Sequence, residues 1–329
     1  MLFGATNTEK PFPKLDLKNF TKSIKKIDKH YNNQFGLKSQ MVNVFTKFKS
    51  EILNENPIPN RVLAGKDGWY FLGNHNNELF NDSFGNHSFS MIELEEIKKN
   101  IQSTREELAS RGIDFYIVVP PNKHRVYSEK LPYQLQQNTT RLEALNSYLK
   151  KEIDFEIIDL RDTLVANKNN QLLYYKTNTH WNDIGAFIGY QKTINAIDPN
   201  IPKVNISNYN IDYDSQILGD ITNMINLKNN EREVKLIKKT SSKVKPIKST
   251  YQFKRFMNYS KNRVMVMYRD SFSDAWIPFF NESFRETIYL RGYHINYGFI
   301  DHKKPDIVIF EIVERNLSSI LLHNKKSPK

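Results

Sequence analysis

The 329-residue sequence predicts an α/β protein of three layers, in which helices cover both faces of a mostly parallel β-sheet. Apolar runs of strand length alternate with segments whose apolar residues have helical spacing, and this alternation is typical of parallel sheets. The strand-length runs lie at residues 113–119, 155–160, 263–268, 287–290 and 306–313. Hydrophobic residues make up 39% of the chain, which is enough to build a sizeable core.

A polar, helix-forming region precedes the predicted sheet. Residues 16–31 and 40–53 both carry apolar residues at helical spacing, and a segment at 54–60 with two prolines then breaks the pattern. We therefore predict an N-terminal helical arm over residues 1–60 and one α/β domain over residues 61–320.

The first elements of the predicted domain are a hairpin and a long helix. Two short apolar runs flank a glycine turn within residues 61–72, a pattern that predicts antiparallel strands. A helix is predicted over residues 90–111, because Ser90 and Glu93 have the spacing of a capping box and Gly112 can end the helix. Further helices are predicted at 140–152, 183–197 and 273–280, the second of them capped by Asn182.

Composition excludes several classes of site. The chain has no cysteine, which excludes disulfides, thiol catalysis and cysteine-based zinc sites. The histidines show no paired spacing of metal ligands, so we expect neither a metal nor a cofactor.

The net charge of +12 predicts a basic surface, which can attract an anionic partner or can simply keep the protein soluble. Part of the excess lies in an irregular basic segment at about residues 200–260, which fits either a substrate-facing insertion or a disordered loop. The net charge alone would indicate a cytosolic protein that binds nucleic acid. The chain carries no recognition motif for nucleic acid, so we expect no such partner.

Two short motifs carry the chemistry. One is Thr-Asn-Thr-His-Trp at residues 177–181, and the other is a buried strand that ends in Asp270-Ser271. A serine just beyond the C-terminal end of a parallel strand is where α/β folds expose a nucleophile. His180 would then be its base and Asn178 the group that orients the imidazole, so we expect Ser271 and His180 to lie within hydrogen-bond reach. The commoner role of a serine in this position is to cap the next helix. Asp270 is an alternative cap for that helix, or it holds the turn between strand and helix.

At these residues the chain resembles the SGNH-hydrolase-like proteins that O-acetylate exported bacterial polysaccharides, as in alginate acetylation. Four segments carry the resemblance in the family's order: residues 65–71, 121–123, 177–182 and 269–273. The resemblance implies a flavodoxin-like α/β/α fold, acylation of Ser271 and His180 as its base. It also implies a helical arm that follows a membrane anchor.

The chain departs from the family pattern at two positions. Asn178 stands where the family usually has aspartate, and Arg269 stands where it often has glycine. An amide can fix the imidazole tautomer but cannot stabilise the imidazolium as a carboxylate does, so turnover is expected to be slow unless another carboxylate takes part. We considered Asp183 and Asp270 for that role.

Three further residues are predicted to contact substrate. Lys123 follows a predicted strand and would face the same crevice, with Arg269 beside it, while Trp181 has a ring suited to stacking on a sugar. Lys123 is equally consistent with simple solvation.

The sequence thus predicts an extracytoplasmic O-acetyltransferase or acetylesterase that acts on a bacterial polysaccharide through a serine acyl-enzyme. The resemblance implies that a membrane-bound acyltransferase delivers the acetyl group and that a membrane anchor precedes this chain. The alternative is a catalytically weak polysaccharide-binding protein on the same fold, and Asn178 is the feature that favours it.

Overall fold

A computed structural model describes residues 60–317, except for 75–78, 133, 135, 137, 214–215 and 226, together with residues 19, 22, 23, 25, 26 and 49. The chain divides into two compact units, residues 1–57 with 225–227, and residues 58–224 with 228–329. The helices predicted at 16–31 and 40–53 lie outside the described residues, so the helical arm and its boundary at residue 60 remain predictions.

The second unit contains all the strands of the described part of the chain. In chain order they are β1 Val62–Ala64, β2 Tyr70–Leu72, β3 Asp114–Val119, β4 Ile158–Asp159, β5 Tyr209–Asp212, β6 Lys235–Lys238, β7 Lys245–Ser249, β8 Phe253–Met257, β9 Val264–Arg269, β10 Glu286–Arg291 and β11 Ile307–Glu311. The α-helices described in this unit are α1 Leu79–Ser83, α2 Met91–Ala109, α3 Lys123–Val126, α4 Arg141–Ile153, α5 Arg161–Asn167, α6 Asp183–Ile197, α7 Asp220–Asn223, α8 Ile277–Phe280 and α9 Tyr297–Lys303.

The main sheet has the order β4-β3-β11-β9-β10-β8-β7 in the described residues. Strands β4, β3, β11, β9 and β10 are parallel to one another, whereas β8 and β7 are antiparallel additions at one edge. The predicted mostly parallel sheet is therefore confirmed. Strand β9 lies between two parallel neighbours and is buried along its whole length, as expected for a strand covered on both faces.

Side chains that alternate along β9 enter two separate cores. Met265 and Met267 face a core that includes helix α6, while Val266 and Tyr268 face a core that includes α2 and α4. This alternation follows from the two-residue period of a strand. It gives the three layers α/β/α that the sequence predicts.

Most predicted elements form close to their predicted ends. Ser90 and Glu93 make both hydrogen bonds of the capping box at α2, and Gly112 follows that helix with a φ of 72°. Asn182 caps α6 by accepting hydrogen bonds from the N–H groups of Ile184 and Gly185. These local signals therefore fix where the long helices begin and end.

Two predicted elements are shorter than expected. The strand predicted at 155–160 is reduced to β4, because the backbone N–H and C=O of Ile157 bond to the side chain of Asn146 instead of a neighbouring strand. The helix predicted at 273–280 is a 3₁₀ helix, Phe272–Trp276, followed by α8, where Pro278 stands in the first turn and has no N–H to continue a longer helix.

The segment at 200–260 is more ordered than the sequence predicts. It contains β5 to β8, and β8 pairs with β10 to extend the main sheet. Strand β7, Lys-Pro-Ile-Lys-Ser, is exposed at every position, so it lacks the apolar alternation by which strands are recognised. Lysine and proline on such a strand are typical of a protected sheet edge.

Helix α6 approaches the loop before the histidine motif so closely that only glycine fits at its third position. A Cβ atom on Gly185 would lie 2.3 Å from the carbonyl oxygen of Leu173. Backbone atoms cannot rotate away, so Gly185→Ala should lower the free energy of unfolding by about 1–3 kcal/mol in urea denaturation. The control is Gly298→Ala in α9, where the nearest heavy atom is 3.4 Å away and the change should be neutral or slightly stabilising. Equal stability of the two variants would contradict this packing.

Candidate active site

Ser271 lies at the turn between the C-terminal end of β9 and the 3₁₀ helix Phe272–Trp276. Its hydroxyl makes no cap hydrogen bond to that helix. Asp270 holds the turn instead, since its Oδ1 accepts the N–H of Phe272 at 2.9 Å. The Ser271 Oγ lies 2.8 Å from Nε2 of His180, so the two motifs meet as their pairing predicts.

The turn that carries Ser271 is tied to the neighbouring strand β11. The Oδ2 of Asp270 accepts hydrogen bonds from the N–H of Val313 at 2.9 Å and the hydroxyl of Tyr293 at 3.3 Å. In return, Oε2 of Glu311 accepts the N–H of Asp270 at 3.0 Å. Burial raises the pKa of Glu311 well above its usual range, because an isolated charge there would lack water. Asp270 is thus occupied in fixing the turn.

Asn178 orients the imidazole of His180. Its Oδ1 lies 2.8 Å from Nδ1 of His180 and accepts the backbone N–H of the same residue at 3.0 Å. Its Nδ2 donates to the carbonyl of Leu218 at 3.0 Å, which fixes which end of the amide faces the ring. The network therefore assigns the proton to Nδ1 and leaves Nε2 as the acceptor for the Ser271 hydroxyl.

The electrostatic surroundings favour a neutral imidazole near pH 7. Burial lowers the pKa of His180, the charge of Asp220 raises it, and Arg315 lowers it. The Arg315 guanidinium lies 5.2 Å from the ring centroid of Phe272, next to the serine, and burial lowers its own pKa. An unprotonated imidazole of this kind is able to act as a general base.

The carboxylate nearest to His180 was not expected from the sequence. Oδ2 of Asp220, at the start of α7, is 3.6 Å from Nδ1 of His180. The carboxylates considered from the sequence have other partners. Asp183 accepts the N–H of Leu236 at 2.9 Å, and Asp270 holds the serine turn. Asp220 lies forty residues after His180, in the segment predicted to be an irregular insertion. No local sequence pattern therefore indicated that it belongs to the site.

Charged side chains hold the loop that carries His180 from two sides. The Nζ of Lys123 donates to the carbonyls of Tyr175, Lys176 and Asn178 at 2.8–3.1 Å. On the other side, Glu231 accepts the N–H groups of Lys176 and Thr177. Burial lowers the pKa of Lys123 to about 7, although Asp220 and Glu231 oppose this change.

The structure places the three predicted substrate contacts inside the protein. Lys123 is 3% exposed and bound to the histidine loop, and Arg269 is 1% exposed and paired with Asp274 at 2.9 Å. Trp181 is 2% exposed and leaves no ring face for a sugar. Its Nε1 donates to the carbonyl of Phe272 at 2.9 Å, which links the histidine motif to the serine motif. These three residues therefore position the site, and we do not carry them forward as substrate ligands.

A three-layer α/β/α sheet that presents serine, histidine and a polar orienting residue in one hydrogen-bonded series is typical of serine hydrolase-like proteins. A family model described as an SGNH hydrolase-like domain of the acetyltransferase AlgX matches residues 62–279, and the chain belongs to this family. The matched range includes Asn178, His180 and Ser271.

One curated relative is similar in sequence, and two solved structures are similar in fold. A Pseudomonas aeruginosa protein named "Probable alginate O-acetylase AlgJ" is 26% identical over 162 residues, which cover 49% of this chain and 38% of that protein. The chain thus spans well under half of this relative's length. The fold is similar to that of Bacillus cereus PatB1, solved with a sulfonyl adduct, with a TM-score of 0.59 and 22% identity over 80% of this chain and all of PatB1. It is also similar to the O-acetyltransferase domain of Pseudomonas putida AlgJ, with a TM-score of 0.50 and 16% identity over 78% of this chain and 92% of that domain.

None of the helices described combines the length and the apolar character needed to cross a bilayer.

The three bonds from Lys123 should be necessary for the stability of the histidine loop. Lys123→Met removes all three bonds and leaves the carbonyls of Tyr175 and Asn178 without a donor among the described residues, while that of Lys176 keeps the N–H of Tyr70. The change should lower the free energy of unfolding by at least about 2 kcal/mol, measured by urea denaturation. Lys151→Met is the matched control, because Lys151 is largely exposed and makes only a surface ion pair. Its effect should stay within about 0.5 kcal/mol. If the two variants are equally stable, the loop does not depend on Lys123.

Proposed function

We propose that this protein is an extracytoplasmic carbohydrate O-acetyltransferase that forms an acetyl-enzyme on Ser271. The observation that carries the proposal is the series from Asn178 Oδ1 to His180 Nδ1 at 2.8 Å and from His180 Nε2 to Ser271 Oγ at 2.8 Å. Membership of the acetyltransferase family and the acetylase name of the alginate relative support the same reaction.

The reaction divides into two acyl transfers at Ser271. Nε2 of His180 takes the proton of the Ser271 hydroxyl as Oγ attacks the acetyl carbonyl of the donor. The same nitrogen then returns that proton to the leaving group, which completes the acetyl-enzyme. In the second half, His180 takes the proton of a sugar hydroxyl, whose oxygen attacks the acetyl carbon. His180 then returns this proton to Ser271 Oγ as the bond between Oγ and the acetyl carbon breaks. Water in place of the sugar would make the protein an acetylesterase.

The developing oxyanion needs a hydrogen-bond donor beside Ser271. Two nearby N–H groups, those of Phe272 and Asn122, already donate to the carboxylates of Asp270 and Glu314. The backbone N–H of Ser271 has no partner within the described residues. We therefore assign this N–H as a donor to the oxyanion.

The accessibility of the site suits a large acceptor. The side chain of His180 is 29% exposed, and Ser271 is also partly exposed, whereas the residues that hold them are mostly buried. A polymer can reach such a surface site without entering a deep cavity. We propose a bacterial polysaccharide as acceptor and a membrane-bound acyltransferase as source of the acetyl group. On the strength of the family resemblance, we also propose that the reaction takes place outside the cytoplasm and that a membrane anchor precedes this chain.

A catalytically weak polysaccharide-binding protein is the second candidate, and the amide at Asn178 is the observation that favours it. The two candidates differ in whether Ser271 reacts.

The nucleophile is tested with an aryl sulfonyl fluoride and a chromogenic acetyl ester. Wild-type protein should gain one sulfonyl group by intact-mass analysis and hydrolyse the ester, and Ser271→Ala should lose both properties while keeping its circular dichroism spectrum. Ser273→Ala is the matched control, because that serine is buried two residues away and bonds only weakly to Asp270. Labelling of Ser271→Ala at the wild-type rate would place the reactive group elsewhere, and no labelling of wild type would favour the binding protein.

The pH dependence should report the base. Because burial lowers the pKa of His180 below its ordinary value of 6.5, the imidazole stays unprotonated at lower pH than usual. The acid limb of kcat/KM for ester hydrolysis should therefore have its midpoint below about pH 6.5. A midpoint clearly above that value would show that His180 is not the free-enzyme base.

A further inference from the structure

The imidazole of His180 gains a positive charge when it takes the serine proton, and Asn178 has no charge to stabilise it. The amide fixes the ring, since Oδ1 accepts Nδ1–H and the backbone N–H of His180 while Nδ2 donates to Leu218. Orientation and charge compensation are separate tasks in a triad. The second task needs a carboxylate from elsewhere in the structure.

Asp220 is connected to the same ring nitrogen through a hydroxyl. The Thr179 hydroxyl donates to Oδ2 of Asp220 at 2.5 Å, and its oxygen lies 3.1 Å from Nδ1 of His180. Since the hydroxyl proton points to the carboxylate, a lone pair of Oγ1 is directed at Nδ1–H. The backbone N–H of Thr179 donates to Oδ1 of Asp220 at 2.7 Å, so both carboxylate oxygens are fixed.

The charges that face His180 come from four elements. Asp220, Asp270 and Asp274 raise the pKa of His180, and Arg315 lowers it, with Asp220 as the largest charge effect. Asp270 is bound to backbone N–H groups at the serine turn, and Asp274 is paired with Arg269, Lys254 and Arg291. Asp220 is the carboxylate that also reaches Nδ1 directly, at 3.6 Å.

We propose that Asp220, acting through the hydroxyl of Thr179, supplies the negative charge that Asn178 lacks and is a positioning residue for the acyl transfer. The inference rests on the proposed function of Ser271 and His180. In each half-reaction the proton moves between Nε2 and the substrate or serine oxygen, and Nδ1 keeps its proton. Asp220 therefore stabilises the imidazolium without itself being protonated.

The first test does not depend on turnover. The C–H resonances of His180 are titrated by NMR and identified by their loss in His180→Gln. Asp220→Asn keeps the shape of the side chain and removes its charge, so the pKa of His180 should fall by at least about 0.5. Glu231→Gln is the matched control, because Glu231 also holds the histidine loop through Lys176 and Thr177 but does not contact His180. A merely structural role for Asp220 predicts the same His180 pKa in both variants, and that result would overturn the proposal.

The second test uses kinetics. Asp220→Asn should lower kcat for acetyl-ester hydrolysis at least about tenfold and move the acid limb of the pH profile to lower pH. Adding Asn178→Asp returns a carboxylate to the other side of Nδ1. The gain in kcat that Asn178→Asp produces should therefore be at least about fivefold larger in the Asp220→Asn background than in wild type. Equal gains in the two backgrounds would show that Asp220 and position 178 do not share a task, which contradicts the proposal.

The two levels of inference fail in different ways. If Ser271 is neither labelled nor acylated but the His180 pKa falls in Asp220→Asn, the proposed function is wrong and the charge coupling stands. If Ser271 reacts while Asp220→Asn leaves the pKa and the pH profile unchanged, the coupling is wrong and the function stands. If Asp220→Asn fails to fold, Thr179→Val replaces it as the test, because it removes the bridging hydroxyl. This variant should lower both kcat and the pKa of His180, as expected for Asp220→Asn.

Discussion

The site depends on one constraint: the loop before His180 is buried, so its backbone groups need partners from the protein. Lys123 supplies three donors to its carbonyls, and Glu231 and Asp220 accept its N–H groups. These side chains come from segments about fifty residues away on each side in the sequence. The position of His180 is therefore set by the tertiary fold, and the loop alone would not hold it.

The same arrangement joins the two halves of the site. Trp181 follows the histidine directly and bonds to the carbonyl of Phe272, which follows the serine. The serine turn is in turn fixed to β11 by Asp270 and Glu311. As a result, buried and half-buried bonds hold the segments that carry the imidazole and the hydroxyl, while the reacting atoms lie at the partly exposed end of the series. Precise placement of this kind is what acyl transfer requires, because an error of about 1 Å costs much of the rate.

The sequence predicts features that have local causes and misses those that need distant partners. The capping box at Ser90 and the cap at Asn182 are local, and the apolar run of β9 identifies a buried strand without further information. The pairing of His180 with Ser271 is predictable only through the family pattern, since ninety-one residues separate them. Strand β7 and the carboxylate of Asp220 have no local signal, because their pairing partners alone define them. Lys123 and Trp181 were correctly placed near the site but were expected to face the substrate, since polarity and ring size do not show which side of a loop a residue occupies.

The amide at Asn178 favours a binding protein, whereas the geometry around it favours a serine that reacts. A protein that only bound a polysaccharide would not need a fixed tautomer, an unprotonated Nε2 or a serine hydroxyl 2.8 Å from it. Burial of the imidazole and the charge of Arg315 disfavour its protonated form, which suits a ring that acts as a base. The carboxylate of Asp220 then opposes that effect at the moment when the charge develops. In the proposed mechanism, Asn178 and Asp220 divide the two tasks that a single aspartate performs in an ordinary triad, one by geometry and one by charge.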